Sequence, residues 1–243
     1  MDPARRLACL QALGIETWEL RAGATQAAPQ PSQFQGETPT LAALPTLVVA
    51  PAPSAGVPAD WEGLQAAVAG CRKCRLCETR TNTVFGVGPR QAPLMVVGEG
   101  PGADEDAQGE PFVGRAGKLL DEMLRAIGRS RKNDTFIANV VKCRPPGNRE
   151  PAEDEAEACR PYLEQQLRLV RPKLIVALGR IAAQRLLASD TPIGKMRGQT
   201  YQWGPEATPL IVTYHPAYLL RNPADKAKSW EDLKRIHRFL LTA

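Results

Sequence analysis

Cys71 and Cys74 form a CxxC pair, and Cys143 and Cys159 follow much further along the chain. A CxxC pair puts two thiolates on one tight turn, and two distant cysteines can complete a four-sulfur set across a fold. Cys77 extends the pair to Cys71-x2-Cys74-x2-Cys77, which opens like a bacterial ferredoxin run. That run needs a cysteine at 81 followed by proline, and Thr81 and Asn82 stand there instead. The ferredoxin reading fails, and chemistry alone leaves a four-cysteine zinc site and a four-cysteine iron–sulfur cluster open. Cys9 and Cys77 fall outside the set. The chain shows neither an apolar leader nor the roughly 20 unbroken apolar residues of a membrane span, so a cytoplasmic location is expected. In that setting six cysteines argue for metal ligation before a disulfide framework.

The residues that could do other chemistry sit in three short segments, Gly98-Glu99-Gly100-Pro101-Gly102, Asn139 to Arg149, and Tyr214-His215-Pro216. Each follows a buried apolar run. Leu94–Val97, Thr135–Val141, Leu174–Leu178 and Leu210–Thr213 read as strands, and helical patterns at Ala116–Ile127, Ala152–Val170, Arg180–Leu187 and Ala224–Leu241 alternate with them. This order predicts a three-layer α/β/α sandwich with a central four-stranded, mainly parallel sheet. In such sheets ligands gather beyond the carboxyl ends of the strands, where the three segments lie.

The rest of the chain divides by composition. Asp2-Pro3 opens a short helical stripe over residues 1–22, and residues 23–60, with seven prolines and nine alanines, read as a disordered linker. The folded domain is expected over residues 61–243, which carry 28 basic against 21 acidic side chains, whereas residues 1–60 carry three against five. A basic domain of this kind suits a polyanion such as nucleic acid.

Four motifs then occur in order. They are Gly98-Glu99-Gly100-Pro101-Gly102 with Glu105-Asp106; Gly109-x-Pro111-Phe112-Val113-Gly114-Arg115-Ala116-Gly117; Asn139-Val140-Val141-Lys142-Cys143-Arg144-Pro145-Pro146-x-Asn148-Arg149; and His215-Pro216-Ala217-Tyr218-Leu219-Leu220-Arg221. Together they resemble the family-4 uracil-DNA glycosylases over about Cys71 to Leu241. The resemblance implies a monomeric base-excision repair enzyme that flips uracil out of double- or single-stranded DNA and hydrolyses its N-glycosidic bond. It also implies a [4Fe–4S] cluster on Cys71, Cys74, Cys143 and Cys159. Residues 1–60 lie outside the match and could serve an unidentified partner.

Site roles follow from the resemblance and agree with the chemistry. The base must leave as an anion while the sugar becomes cationic, so the site must stabilise charge on the pyrimidine and deliver water. His215 is expected to donate a hydrogen bond to the uracil oxygen. Asn139 offers the donor and acceptor that uracil's O4 and N3–H require, and Phe112 stacks on the flipped base. Glu99 orients the water or stabilises the sugar cation, with Asn148 sharing the water. Family-1 enzymes carry Gln-Asp where Glu99-Gly100 stands, so their catalytic aspartate falls on Gly100, a uracil-binding position here, and their mechanism cannot be copied. Leu219 and Leu220 are expected as an exposed wedge, and Arg221, with Lys73, Arg75, Arg80, Arg144 and Arg149, as phosphate contacts. Lys234-Arg235-Ile236-His237 resembles the basic loop of glycosylases that trap themselves on DNA, but it lies in the C-terminal helix, where His237 is expected on the surface. The rival reading is a non-catalytic iron–sulfur DNA-binding module.

Overall fold

A computed structural model describes residues 56–242. The expected helix of residues 1–22 and most of the linker of 23–60 lie outside the described residues. Residues 57–60 belong to the folded body: Val57 packs on the core, Ala59 O accepts from Gln165 Nε2, and the Asp60 carboxylate accepts from Gly63 N at 2.8 Å. That last bond caps helix α1 (Trp61–Ala69) by satisfying one of its free amides.

Strands β1 (Leu94–Gly98), β2 (Thr135–Asn139) and β3 (Leu174–Leu178) are buried at every residue. Their apolar runs do not alternate with polar residues because both faces of the sheet are covered. Met95, Val97, Ile175 and Ala177 join one core with helices α1, α4 (Glu153–Val170) and α5 (Gly179–Leu187). Leu94, Val96, Leu174 and Val176 join a second core with α3 (Arg115–Ala126), α7 (Pro216–Arg221) and α8 (Lys226–Thr242). The short helices α2 (Ala103–Gln108) and α6 (Ile193–Met196) follow β1 and α5.

The sheet has five strands in the order β2-β1-β3-β5-β4, not the four expected. The addition is β4 (Thr200–Trp203), an edge strand antiparallel to β5 (Thr208–Thr213). Its four residues, of which Trp203 alone is buried, are too few to show a period, though Thr200, Tyr201 and Trp203 favour strands and Gly204 turns at φ 71°. The other four strands are mutually parallel and in register, with Gly98 opposite Asn139 and Leu178 opposite Thr213. Their carboxyl ends therefore share one edge of the sheet. β2 ends at Asn139, two residues earlier than expected, but Val140 N and Val141 N still bond to Gly98 O and Glu99 O.

Among the described residues no helix is long and apolar enough to cross a membrane.

Candidate active site

The carboxyl edge of the sheet opens into a cavity of about 440 Å³, lined by Glu99, Gly100, Phe112, Asn139, Asn148, His215 and Arg221 among others. All six residues expected to hydrolyse the bond or hold the base thus line one pocket, as does Arg221. Asn139 is 1% exposed and its Oδ1 has no hydrogen-bond partner. A buried amide oxygen left unpaired costs about 1–3 kcal/mol, so a ligand that supplies a donor recovers that energy. Gly98 makes the approach possible. A Cβ there would stand 2.5 Å from Asn139 Oδ1 and 2.6 Å from Phe112 Cζ, so strand, amide and ring meet only over a glycine. Gly100 is similar, since a Cβ there would press on Val141 Cγ2 at 2.8 Å.

Lys142 fixes the Asn139 backbone from beneath. Its fully buried ammonium donates to Asn139 O at 2.8 Å and to Gln166 Oε1 at 2.6 Å, and Gln166 Nε2 donates to Phe85 O at 2.8 Å. Phe112 sits at φ 55°, a left-handed conformation rare for an aromatic residue. Arg131 holds it there by donating to Pro111 O at 2.8 Å and Phe112 O at 2.7 Å. Gly117 lets α3 approach, for a Cβ there would fall 1.8 Å from Phe112 O.

His215 is the N-cap of α7, and its Nδ1 accepts from Ala217 N at 3.1 Å. Burial, with Arg221 adding to it, pushes the imidazole down to about 4. The ring is therefore neutral near pH 7, and because Nδ1 is an acceptor its proton belongs on Nε2. The ring lies 5.5 Å from that of Phe112. Gly179, at φ 88°, gives it room, since a Cβ would stand 2.9 Å from His215 Cβ. Glu99 is pushed the other way: burial raises its carboxyl to about 7, with the charge of Glu150 adding and Arg180 opposing. Asn148 is exposed and its Oδ1 accepts from Arg144 Nε at 2.7 Å, which orients the side chain and leaves its amide nitrogen as a donor toward a water.

Several expectations are corrected. Leu219 is 1% exposed and packs in the second core, so it is no exposed wedge; Leu220 does stand at the surface, 36% exposed. Helix α7 turns one of two adjacent residues inward and the other outward. Arg80 points at the cysteines, donating to Cys143 Sγ at 3.0 Å and Cys71 O at 2.8 Å, and Arg149 is paired with Glu155 at 2.6 Å. Neither is a free phosphate contact. His237 is half-buried, with Nδ1 3.1 Å from Ile127 O near the end of α3.

Cys71, Cys74, Cys143 and Cys159 line one cavity, and Cys77, which the sequence set aside, lines it as well. Among the described residues no set of three or more His, Cys, Asp or Glu is grouped to hold a metal ion. The surroundings nevertheless suit thiolates: Lys142 N reaches Cys159 Sγ at 3.3 Å, Arg80 bonds Cys143, and Val68, Leu76 and Val141 seal the wall. Burial, with Cys143 and Cys71 adding to it and Lys142 opposing, pushes the Cys159 thiol up to about 12.

The profile of the uracil DNA glycosylase superfamily matches residues 85–234. The chain belongs to the uracil DNA glycosylase superfamily. Within it the chain is similar to a type-4 uracil-DNA glycosylase of Sulfurisphaera tokodaii, 44% identical over 74% of this chain and 85% of the relative. It is similar also to one of Archaeoglobus fulgidus, 48% identical over 68% and 86%, and to one of Saccharolobus solfataricus, 43% identical over 70% and 82%. The superfamily match spans every residue that lines the pocket, from Glu99 to Arg221.

Proposed function

We propose that this chain is a uracil-DNA glycosylase that flips uracil from DNA, hydrolyses its N-glycosidic bond and leaves an abasic site for repair. The carrying observation is the unpartnered, buried Oδ1 of Asn139 in a pocket shared with Phe112, His215 and Glu99. Uracil offers N3–H to that oxygen, whereas cytosine presents a bare ring nitrogen and leaves the oxygen unpaired. Phe112 stacks on the base, and the Gly100 backbone lies along its edge. His215 donates Nε2–H to the uracil O2 as charge develops there, and a neutral donor is already charged with the proton it needs. Glu99 takes a proton from water, with Asn148 Nδ2 orienting that water. The water oxygen bonds to C1′ as the C1′–N1 bond breaks, its electron pair leaves on uracil, and the proton on Glu99 later returns to the departing anion or solvent. Leu220 fills the space the base vacates, and Arg221 contacts a phosphate.

Cys71, Cys74, Cys143 and Cys159 would hold a [4Fe–4S] cluster. The all-sulfur donor set, the N–H groups aimed at Cys143 and Cys159, and the cationic Arg80 and Lys142 support this group. The cluster, when bound, ties residues 71–74 to 143–159 and so stabilises the fold around the pocket.

The test is an oligonucleotide with one uracil, incubated with the purified chain and then treated with alkali. Strand cleavage at the uracil and nowhere in a thymine control supports the reading; an intact strand returns the chain to the non-catalytic module. A brown protein with iron near four per chain, kept in Cys77→Ala and lost in Cys143→Ala, supports the cluster; a colourless zinc protein removes it.

A further inference from the structure

Glu105 and Asp106 belong to the first of the four motifs, yet the chemistry above gives neither a task. Glu105 Oε2 accepts from Gly102 N at 3.0 Å, and Oε1 accepts from Val113 N at 2.9 Å and Gly114 N at 3.0 Å. A capping box accounts for the first bond, because Gly102 opens α2. The other two lie outside the helix and reach the loop that carries Phe112. Gly102 closes the loop that begins at Glu99, so one carboxylate ties the two loops together in the pocket wall.

Asp106 serves another segment. It is 4% exposed and accepts from Thr81 N at 2.9 and 3.1 Å and from Asn82 N at 3.3 Å, while Asn82 Nδ2 returns a bond to Asp106 O at 2.8 Å. Thr81 follows Arg80, whose guanidinium grips Cys143 Sγ and Cys71 O. A continuous series of hydrogen bonds and adjacent residues therefore runs from the cysteines through Arg80, Thr81 and Asp106 to Glu105 and both pocket loops.

We propose that Glu105 and Asp106 are positioning residues that lock the loops of Glu99 and Phe112 to each other and to the cysteine-bearing segment, so that the cysteine site sets the shape of the base pocket. The proposal rests on the glycosylase reading for what the pocket does, but not for what the pair holds. Neither side chain need touch the base. Both act through backbone amides, and displacing a reacting group by about 1 Å costs on the order of 100-fold in rate.

The experiment uses the full chain with its iron and the variants Glu105→Gln and Asp106→Asn. Amide hydrogen exchange, single-turnover uracil excision, DNA affinity, iron content and melting temperature are measured on each. In Glu105→Gln an amide NH₂ must face either the Gly102 N–H or the Val113 and Gly114 N–H pair, so exchange at Gly102 or at Val113 and Gly114 accelerates about tenfold or more. Excision slows about 10- to 100-fold, with DNA affinity within about twofold, iron unchanged and the pH midpoint of the rate retained. Asp106→Asn accelerates exchange at Thr81 and Asn82 and slows excision by a smaller factor. Wild-type exchange at those amides, or a wild-type rate in Glu105→Gln, overturns the proposal. So does a uniform rise in exchange with a falling melting temperature, which would make the pair ordinary fold stabilisers. If the parent chain excises no uracil, the glycosylase reading falls while the exchange data still decide the brace.

Discussion

Glu99 and His215 are driven toward their neutral forms by burial in the same pocket, and the two consequences for pH differ. The Glu99 carboxyl is raised to about 7, so a base at this position becomes ionised only as pH climbs through neutrality. The excision rate should rise through about pH 7, and Glu99→Gln should flatten that limb as well as lower the rate; a limb that survives in Glu99→Gln assigns it to another group. Stability moves oppositely. A folded value above the ordinary 4.5 means that the native state keeps its proton longer, so the contribution of Glu99 is fullest below about 4.5 and declines as pH rises through about 7. Melting curves should accordingly show Glu99→Gln gaining on the parent at pH 8 and the gap narrowing at pH 5. His215, held down to about 4, works as a neutral donor throughout this range. Removing one such donor costs roughly 10²- to 10³-fold in rate. His215→Ala should therefore bind uracil-containing DNA like the parent but cut it that much more slowly, and equal losses of affinity and rate would place the histidine in binding instead.

Helices and strands explain which residues reach the pocket and which do not. Leu219 and Leu220 looked alike in sequence because both follow His215-Pro216-Ala217-Tyr218, and nothing in composition says which way a short helix will roll. With His215 as N-cap and Pro216 at the first turn, α7 runs Pro216–Arg221 and presses Leu219 onto the second core. Leu219→Ala should cost about 2–5 kcal/mol of stability. Leu220→Ala should leave stability within about 0.5 kcal/mol yet impair excision from duplex more than from single strands. Denaturant titration beside excision on both substrates checks the pair; equal effects on the two substrates would remove the wedge. The four parallel strands were legible because each carries a compact apolar run next to a helix of clear period. The edge strand β4 and the short helices α1, α2 and α6 were not, since four to nine residues hold too few turns or alternations to stand out.

At the scale of the molecule, the motifs named the residues of the pocket but not the groups that hold them. Glu99, Asn139, Phe112 and His215 were readable because they stand in motifs that resemble one family, and their chemistry then fits one reaction; Arg131, Gln166 and Gly179 were not, because each acts on a partner between about 20 and 80 positions away. No local pattern records such a pairing. Every residue lining the pocket lies between 99 and 221, so a chain lacking residues 1–55 should excise uracil from a short oligonucleotide at nearly the full rate. A hundredfold loss in that truncation would bring the amino-terminal stretch into the catalytic unit. The same arrangement has a consequence during synthesis. Because the pocket is built from the ends of three strands, β1, β2 and β5, spread over more than a hundred residues, it depends on contacts distant along the chain, which are slow to form. A ribosome that has translated as far as β4 carries Phe112 and Asn139 but no His215, and a chain with half a pocket cannot cut. Base removal is thus withheld until translation has passed β5 and His215.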